Sequence, residues 1–246
     1  MNADRRMRLW SLVVQYSRGT PVTIEHVCAA TMSAAGVEHA AAAVMLSASP
    51  RETLYASDPL AGEMEELTLT LGEGPGVDAL TSGPALVADL STPDCVARWP
   101  VFAPAAVHAG VRAVFALPLQ VGAVRLGVLD LYRAQPGELD REQLADALVL
   151  ADTACALLLD AEAERERPRL NGGAPEPAGS SQPEVHQATG MITVQLGVSM
   201  AVALIRLRAH AYAHDRRLRD VARDVVARRL RFDPDPDAET GLDRRG

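Results

Sequence analysis

A segment rich in proline, glycine and serine at residues 168–183 constrains the fold more than any other feature of this chain. Nine of these 16 residues are Pro, Gly or Ser, and apolar residues show no periodicity there. Such a sequence buries too little apolar surface to offset the entropy of ordering it. The pattern therefore predicts a folded unit at 1–166, a flexible linker at 167–183 and a second folded unit at 184–232.

Charge is divided unevenly between the two units. Residues 184–232 hold nine arginines against four acidic residues, a net charge of +5, whereas residues 1–183 carry −10. The remaining tail, 233–246, carries −3 and is predicted to be disordered. All 24 basic residues are arginine, a bias that we attribute to a GC-rich genome. The clustering of arginines on one small unit, rather than their number, indicates a polyanion as its partner.

The sequence argues against several classes of protein. Three widely spaced cysteines without a CxxC pair argue against a disulfide framework and a zinc site. No apolar run reaches 18 residues, so no membrane span is expected. His210 and His214 have a metal-ligand spacing but no evident third ligand, and we interpret them as surface residues. HExxH, nucleophile-elbow and Walker patterns are missing, so we expect no catalytic site, no metal, no cofactor, and a soluble cytoplasmic protein.

The first unit mixes helix and strand patterns, which predicts an α+β fold. Two strong strands at 111–121 and 124–133 are separated by Gly122-Ala123, a two-residue hairpin signal. Weaker strand patterns lie at 38–48, 52–57 and 85–90. Helix patterns lie at 4–17, 21–35, 59–71, 100–109 and 139–167, with a glycine-rich turn at 71–80 that enters a short helix.

The last of these helices carries a heptad-like seam. Its members recur at spacings of four and three residues, and they are Leu144, Leu148, Ala151, Cys155 and Leu158. This spacing is typical of a helix that packs on another helix, in the same fold or in a second copy of the chain. Packing on the unit's own sheet and a homodimer interface are both open at this point, and they are compatible.

Three amphipathic helices are predicted in the second unit, at 184–196, 200–213 and 216–230. Gly197 is a C-cap for the first, Ser199 an N-cap for the second and Asp215 an N-cap for the third. The predicted buried stripes comprise Val185, Ala188, Ile192, Leu196, Met200, Ala203, Leu204, Leu207, Ala211, Leu218, Val221, Ala222 and Val225. Such a small all-α bundle has a modest core, which favours oligomerisation or support from a neighbouring domain.

Arginines are expected on one face of the third helix. Arg216, Arg219 and Arg223 lie at offsets of 0, 3 and 7, and Arg217 stands at the helix start. Arg208 projects from the second helix, with Tyr212 one turn further on. Arginine binds phosphate through paired N–H groups, and tyrosine stacks on splayed bases. A merely solvated charged face is the alternative.

Residues 184–230 resemble the ANTAR domain, an RNA-binding antitermination module. The resemblance rests on Ala188-Thr189-Gly190 followed by Met191-Ile192, on Gly197, on Leu207-Arg208-x-x-Ala211 and on Leu218-x-x-Val221-Ala222. It implies a three-helix unit that works as a dimer, binds paired stem-loops in nascent transcripts and thereby disfavours a terminator hairpin. The RNA surface that it implies, together with the charge pattern, comprises Thr189, Gly190, Arg208, Tyr212, Arg216, Arg217, Arg219 and Arg223. Gly190 lies in mid-helix at a cost of about 1 kcal/mol, which predicts close approach of another helix or of an RNA backbone.

The first unit resembles a GAF domain of the type found ahead of ANTAR modules in actinobacteria. The residues that carry this resemblance are LGEGPGVDA at 71–79, Trp99-Pro100-x-Phe102, and the hairpin segments ALPL at 116–119 and LGVLDL at 126–131. The resemblance implies an antiparallel sheet flanked by helices, over about residues 20–160. It also implies a small-molecule ligand as a partner, without naming one.

These observations predict a GAF–ANTAR regulator that senses a signal, binds RNA stem-loops and controls transcription termination as a homodimer. Two alternatives remain at this point. The third helix could serve as a DNA recognition helix, or the helical tail could mediate protein–protein dimerisation of a ligand-sensing module. An enzyme ranks behind both.

Overall fold

The computed structural model describes residues 2–46, 49–166 and 183–233. The chain divides between residues 181 and 182 into two compact units, and each is described by itself. The predicted linker lies outside the described residues except for Pro183. The predicted acidic tail lies outside them except for Asp233.

A five-stranded antiparallel sheet forms the centre of the N-terminal unit. Its strand order is β2-β1-β5-β4-β3. The strands are β1 His39–Leu46, β2 Ser49–Ala56, β3 Ala85–Val87, β4 Ala113–Val121 and β5 Val124–Arg133. The predicted hairpin joins β4 to β5, and Gly122 supplies its positive φ of 59°. The α+β prediction and all five predicted strands are confirmed.

Seven helices of this unit lie among the described residues: α1 Asn2–Ser17, α2 Ile24–Ala35, α3 Pro59–Leu71, α4 Pro75–Ser82, α5 Pro93–Arg98, α6 Phe102–His108 and α7 Arg141–Glu166. The sequence patterns predicted each of them except α5. This six-residue helix is too short to show an apolar period, and its signals are Pro93 at the first position and the Thr92 side chain, which accepts a hydrogen bond from the Cys95 amide.

Helices cover both faces of the sheet. In β4, Phe115, Leu117 and Leu119 are buried in one cluster with residues of α1, α2 and α7. The alternate residues face the other way: Val114 packs in a cluster with α3 and α6, and Ala116 packs with Ala79 of α4. Burial on both faces explains why β4 reads as a continuous apolar run instead of an alternating one.

The heptad-like seam of α7 packs mainly inside its own unit. Ala151 and Cys155 are buried, and Leu144 and Leu158 pack against the same cluster. Leu148 is the exception, because 40% of its surface is exposed. Of the two alternatives that the spacing left open, packing within the unit accounts for four of the five residues.

The C-terminal unit is a bundle of α8 Pro183–Leu196, α9 Met200–Ala213 and α10 Leu218–Val226. Most of the predicted stripes are buried, namely Val185, Ala188, Ile192, Ala203, Leu207, Ala211, Leu218, Val221, Ala222 and Val225. Met200, the first residue of α9, is by contrast 41% exposed. Gly197 has the left-handed φ of 65° expected of a C-cap, and the Ser199 side chain accepts a hydrogen bond from the Val202 amide, as predicted.

The third helix begins later than predicted. Asp215 does not cap it, because Asp215 itself takes a left-handed φ of 50° in the turn after α9. Arg217 occupies the N-cap position, so Arg216 lies in the turn and not on the helix. No single helix in the described ranges is long and apolar enough to cross a membrane. By length and composition only α8 and α9 together pass, as a pair bent by 107°.

A buried ion cluster lies between the sheet and α3. Arg51 of β2 donates to Glu65 of α3 through Nε (3.1 Å) and Nη2 (2.6 Å), and Nη2 also donates to the Asp130 carboxylate of β5. Tyr132 of β5 donates its hydroxyl to Glu65 Oε1 at 2.9 Å. These contacts join an edge strand, an inner strand and a helix. No sequence pattern predicted this cluster, although Asp130 is an acidic residue within the apolar strand VRLGVLDLYR.

Gly76 closes the top of this ion cluster at the start of α4. A Cβ at this position would collide with Arg51 Nη1 and would lie 2.9 Å from both Asp130 carboxylate oxygens. The glycine-rich segment is also tied to α6, because Glu73 Oε1 accepts hydrogen bonds from the amides of Val101 (2.9 Å) and Phe102 (2.7 Å). Gly76 and Glu73, which belong to the segment that carries the GAF resemblance, therefore contribute to the packing of this unit.

Substituting Gly76→Ala is expected to destabilise the N-terminal unit by about 1–3 kcal/mol, because a methyl group would enter space that Arg51 and Asp130 fill. Gly62→Ala in α3 is the matched control. Its Cβ would approach nothing closer than Ala56 at 4.0 Å, so it should be neutral or mildly stabilising. Urea unfolding followed by tryptophan fluorescence reports on this unit, since both tryptophans, Trp10 and Trp99, belong to it. Equal effects of the two substitutions would contradict the packing argument.

The stability of this unit is also expected to depend on pH through Asp130. Burial raises the pKa of the Asp130 carboxyl from its ordinary 3.8 to about 7, with Arg51 opposing the shift and Glu65 adding to it. Between these values the folded state holds a proton that the unfolded state has released. The contribution of Asp130 is therefore fully present below pH 4 and is lost as pH rises through the pKa of the folded state. Urea unfolding at pH 5 and pH 7 should show this loss in the unaltered protein, and a smaller one in Asp130→Asn. Identical pH dependence in the two proteins would contradict it.

Candidate nucleic-acid interface

The polar side of α10 and the turns at its two ends form a concavity in the C-terminal unit. Four apolar residues of α10 point into the bundle, which leaves its charged residues on the opposite side. This concavity, termed the arginine cleft below, has a volume of about 570 Å³. Its lining residues are Asp215, Arg216, Arg217, Asp220, Arg223, Asp224 and Arg229.

Acidic side chains hold most of the arginines of the cleft. Asp224 Oδ2 accepts a hydrogen bond from Arg216 Nη2 at 2.7 Å, and its Oδ1 accepts one from Arg229 Nε at 2.8 Å. The hydrogen bond from Arg216, followed by that from Arg229, lowers the pKa of the Asp224 carboxyl. Arg223 lies 3.3 Å from Glu184 and 3.5 Å from Asp220. The cleft is thus an ordered array of ion pairs rather than a set of loose cations.

The structure brings three of the predicted RNA-binding arginines together in this cleft: Arg216, Arg217 and Arg223. Arg219, although on α10, is half-buried and does not line the cleft. The predicted shared face of Arg216, Arg219 and Arg223 is therefore wrong, because Arg216 precedes the helix and the offset of three no longer applies. Arg216 reaches the cleft from the turn instead.

The two predicted residues of α9 lie outside the cleft. Tyr212 is 59% exposed, so its ring is open to a stacking partner. Arg208 is half-buried, and burial lowers the pKa of its guanidinium. Neither lines the concavity, and any role of theirs in binding concerns a second part of the surface.

The side chain of Thr189 is not accessible to RNA. Its side chain is only 3% exposed, and its hydroxyl donates to the Val185 carbonyl at 2.7 Å within α8. A phosphate contact needs an accessible donor, and the only one on this side chain is already used. The buried threonine serves the packing of α8 in this unit.

Gly190 faces open space. A Cβ built on it would meet no atom within 4 Å, so no helix of the described unit comes close to it. Of the two reasons that the sequence offered for a mid-helix glycine, packing against another helix of the same unit is therefore excluded. An approach by something outside the unit, such as an RNA backbone, remains.

Two histidines near the end of α9 stack on each other. The rings of His210 and His214 have centroids 4.0 Å apart and lie 20° from parallel, and Phe232 meets His210 edge-on at 5.4 Å. Burial, with the nearby His214, lowers the pKa of His210. Stacked rings do not converge on an ion. Among the residues that the structure describes, no group of three potential metal ligands occurs.

Asp224 and Arg229 are the functional candidates that sequence reasoning missed. The helix ends at Val226, and Arg228 takes a left-handed φ of 59°, which turns the chain back toward Asp224. A pair of residues five apart is out of reach along a continuous helix, so only the helix end makes this pairing visible.

Comparison with known proteins gives a family for the C-terminal unit. Residues 178–226 match the family model of the ANTAR domain. The sequence matches none of the curated proteins. The C-terminal unit is therefore an ANTAR domain, a three-helix bundle as the resemblance implied.

Several solved structures are similar to this chain. The GAF domain of a phosphoenolpyruvate-protein phosphotransferase from Coxiella burnetii shares 15% identity over 67% of this chain and 98% of its own, with a TM-score of 0.47. The corresponding Acinetobacter domain shares 12% identity over 70% and 98%, with a TM-score of 0.47. A domain of a sensor histidine kinase protein from Sinorhizobium meliloti shares 17% over 59% and 94%, again at 0.47.

The chain thus consists of a GAF-like unit followed by an ANTAR domain. The first description rests on the antiparallel five-stranded sheet with helices on both faces, which is the architecture that the sequence resemblance implies. The second rests on the family match and the bundle.

Proposed function

We propose that this protein is a non-catalytic RNA-binding regulator of transcription termination. The arginine cleft of the ANTAR domain is the observation that carries this proposal. It gathers four arginines from α10 and its flanking turns against three aspartates. Guanidinium groups in a fixed array suit phosphate oxygens, which they bind through paired N–H groups.

The family of the C-terminal unit favours RNA over duplex DNA, because residues 178–226 match the ANTAR domain, and the sequence resemblance implies an RNA-binding module. The charged surface beside α10 suits phosphate oxygens, which both nucleic acids present. Competition with duplex DNA therefore distinguishes the two.

The N-terminal unit is proposed to sense a signal, as the resemblance to GAF domains implies, with a small molecule as its ligand. The unit also supports the proposal of a homodimer. On α1, Met7, Trp10 and Val14 recur at spacings of three and four and are 66%, 47% and 44% exposed. A second copy of the chain is the partner that we propose for this apolar stripe.

RNA selection with the full-length protein tests the proposed function. A library of double stem-loop RNAs with randomised loops is passed over the protein, and the retained RNA is measured by fluorescence anisotropy at several salt concentrations. Arg217→Ala and Arg223→Ala should each weaken binding and lower the salt slope by about 0.7–0.9 unit, because each removes about one phosphate contact. Arg98→Ala, an equally exposed ion-paired arginine of the N-terminal unit, is the control that should change neither.

Duplex DNA of the same sequence serves as the competitor in this experiment. Displacement of the RNA by equimolar duplex would favour the DNA-binding alternative. Failure to retain any nucleic acid would favour a tail that docks a protein partner.

Gly190→Ala is expected to raise the stability of the ANTAR domain and to lower its affinity for RNA. The methyl group has room in the free protein, so the substitution should stabilise the ANTAR domain by about 1 kcal/mol. The same methyl group should weaken binding of the selected RNA if an RNA backbone approaches Gly190. Gly197→Ala is the matched control: its φ of 65° makes alanine strained, so stability should fall while affinity stays near that of the unaltered protein. Circular dichroism melts and anisotropy measure both quantities. Unchanged RNA affinity in Gly190→Ala would contradict the contact.

A further inference from the structure

We propose that Asp224 is a positioning residue for RNA binding: it holds Arg216 and Arg229 as a preformed pair for phosphate. This inference rests on the proposed RNA-binding function. Asp224 lies on α10, whereas Arg216 comes from the turn before this helix and Arg229 from the turn after it. One carboxylate therefore gathers two arginines that the chain itself keeps at opposite ends of a helix.

The pairing uses one oxygen for each arginine. Asp224 Oδ2 accepts from Arg216 Nη2 at 2.7 Å. Asp224 Oδ1 accepts from Arg229 Nε at 2.8 Å and lies 2.6 Å from Nη2 of the same residue. A guanidinium carries five N–H groups on three nitrogens, so each arginine keeps donors that do not point at Asp224. Both side chains remain accessible, with 38% and 65% of their surfaces exposed.

Two effects of Asp224 on phosphate binding oppose each other. Its carboxylate repels a phosphate directly, but this repulsion acts at an exposed site and is screened by water and salt. Its hydrogen bonds restrict two long side chains before the ligand arrives, which removes part of the ordering cost of binding. The triad keeps a net charge of +1, so attraction to phosphate survives the pairing. We therefore expect the positioning effect to outweigh the repulsion.

The direction in which Asp224→Asn changes RNA affinity distinguishes these two effects. Asp224→Asn removes the charge and weakens the hold on both arginines, yet it leaves the Asp224 carbonyl that accepts the amides of Arg229 (2.8 Å) and Leu230 (3.1 Å). Asp215→Asn is the matched control. It removes the same charge from the same cleft, and asparagine tolerates the left-handed φ of 50° at that position.

The experiment uses the full-length protein and the RNA selected from the double stem-loop library. Asp215→Asn should bind this RNA more tightly than the unaltered protein, since it removes a repulsive charge from the cleft. Asp224→Asn should bind it about fivefold more weakly, the effect of releasing about one ordered side chain. Asp224→Glu should recover part of the loss, because it restores the acceptor and the charge.

Two further measurements distinguish positioning from a purely structural role. Melting temperatures of Asp224→Asn and the unaltered protein should agree within a few degrees. In addition, Arg216→Ala and Arg229→Ala should each cost less RNA affinity in the Asp224→Asn background than alone. The reason is that the contribution of each arginine to RNA affinity depends on its hydrogen bond to Asp224.

Three results would overturn the inference. Equal or tighter RNA binding by Asp224→Asn would show that Asp224 only competes with phosphate, while the proposed function stands. A large fall in melting temperature that accounts for the loss would make the residue structural. If the unaltered protein retains no RNA from the library, the proposed function fails and this inference falls with it.

Discussion

The N-terminal unit depends on one buried guanidinium. Arg51 lies on an edge strand and donates hydrogen bonds to carboxylates from an inner strand and from α3, so it fixes the distance between the sheet and this helix. Taking these charges out of water is costly, and the cost is recovered only if the pairing geometry is held. The surrounding residues hold it: Tyr132 donates to Glu65, and the missing side chain of Gly76 leaves room for the guanidinium. The cluster therefore specifies one packing of α3 and α4 on the sheet more than it adds to overall stability.

The ANTAR domain uses ion pairs in a different way. Its core is small and made of aliphatic side chains, and its arginines meet acids at the surface, where water screens the attraction. Such exposed pairs contribute about 0–1 kcal/mol each to stability. Their consequence is geometric, because they restrict side chains that would otherwise sample many rotamers. The same chemical pairing thus serves packing specificity in one unit and the arrangement of a binding surface in the other.

Local signals in the sequence predicted most of the fold, but they did not predict the contacts between residues that lie far apart in the chain. Strand patterns, the Gly122-Ala123 turn and the caps at Gly197 and Ser199 are encoded within a few residues, so they can be found without a structure. The Arg51 cluster joins residues up to 79 positions apart, and no periodicity reveals such a set.

The candidate site was predicted in its charge but not in its geometry. The start of α10 was placed too early because Asp215 is a good cap by type, yet here it adopts a left-handed turn. Burial of Thr189 was not predicted, because the predicted apolar stripe of the first helix did not include this residue.

The absence of lysine from this chain bears on how an acid-lined cleft can bind an anion. An ammonium group concentrates its charge at one atom, so a carboxylate that pairs with it occupies the centre that a phosphate would need. A guanidinium spreads its charge and donors over a planar fork, and a carboxylate on one edge leaves another edge able to donate. Arg216 and Arg229 can therefore be held by Asp224 and still present N–H groups to a second anion. A genome-driven preference for arginine, neutral in origin, would then make possible a cleft in which acids order the binding groups without cancelling them.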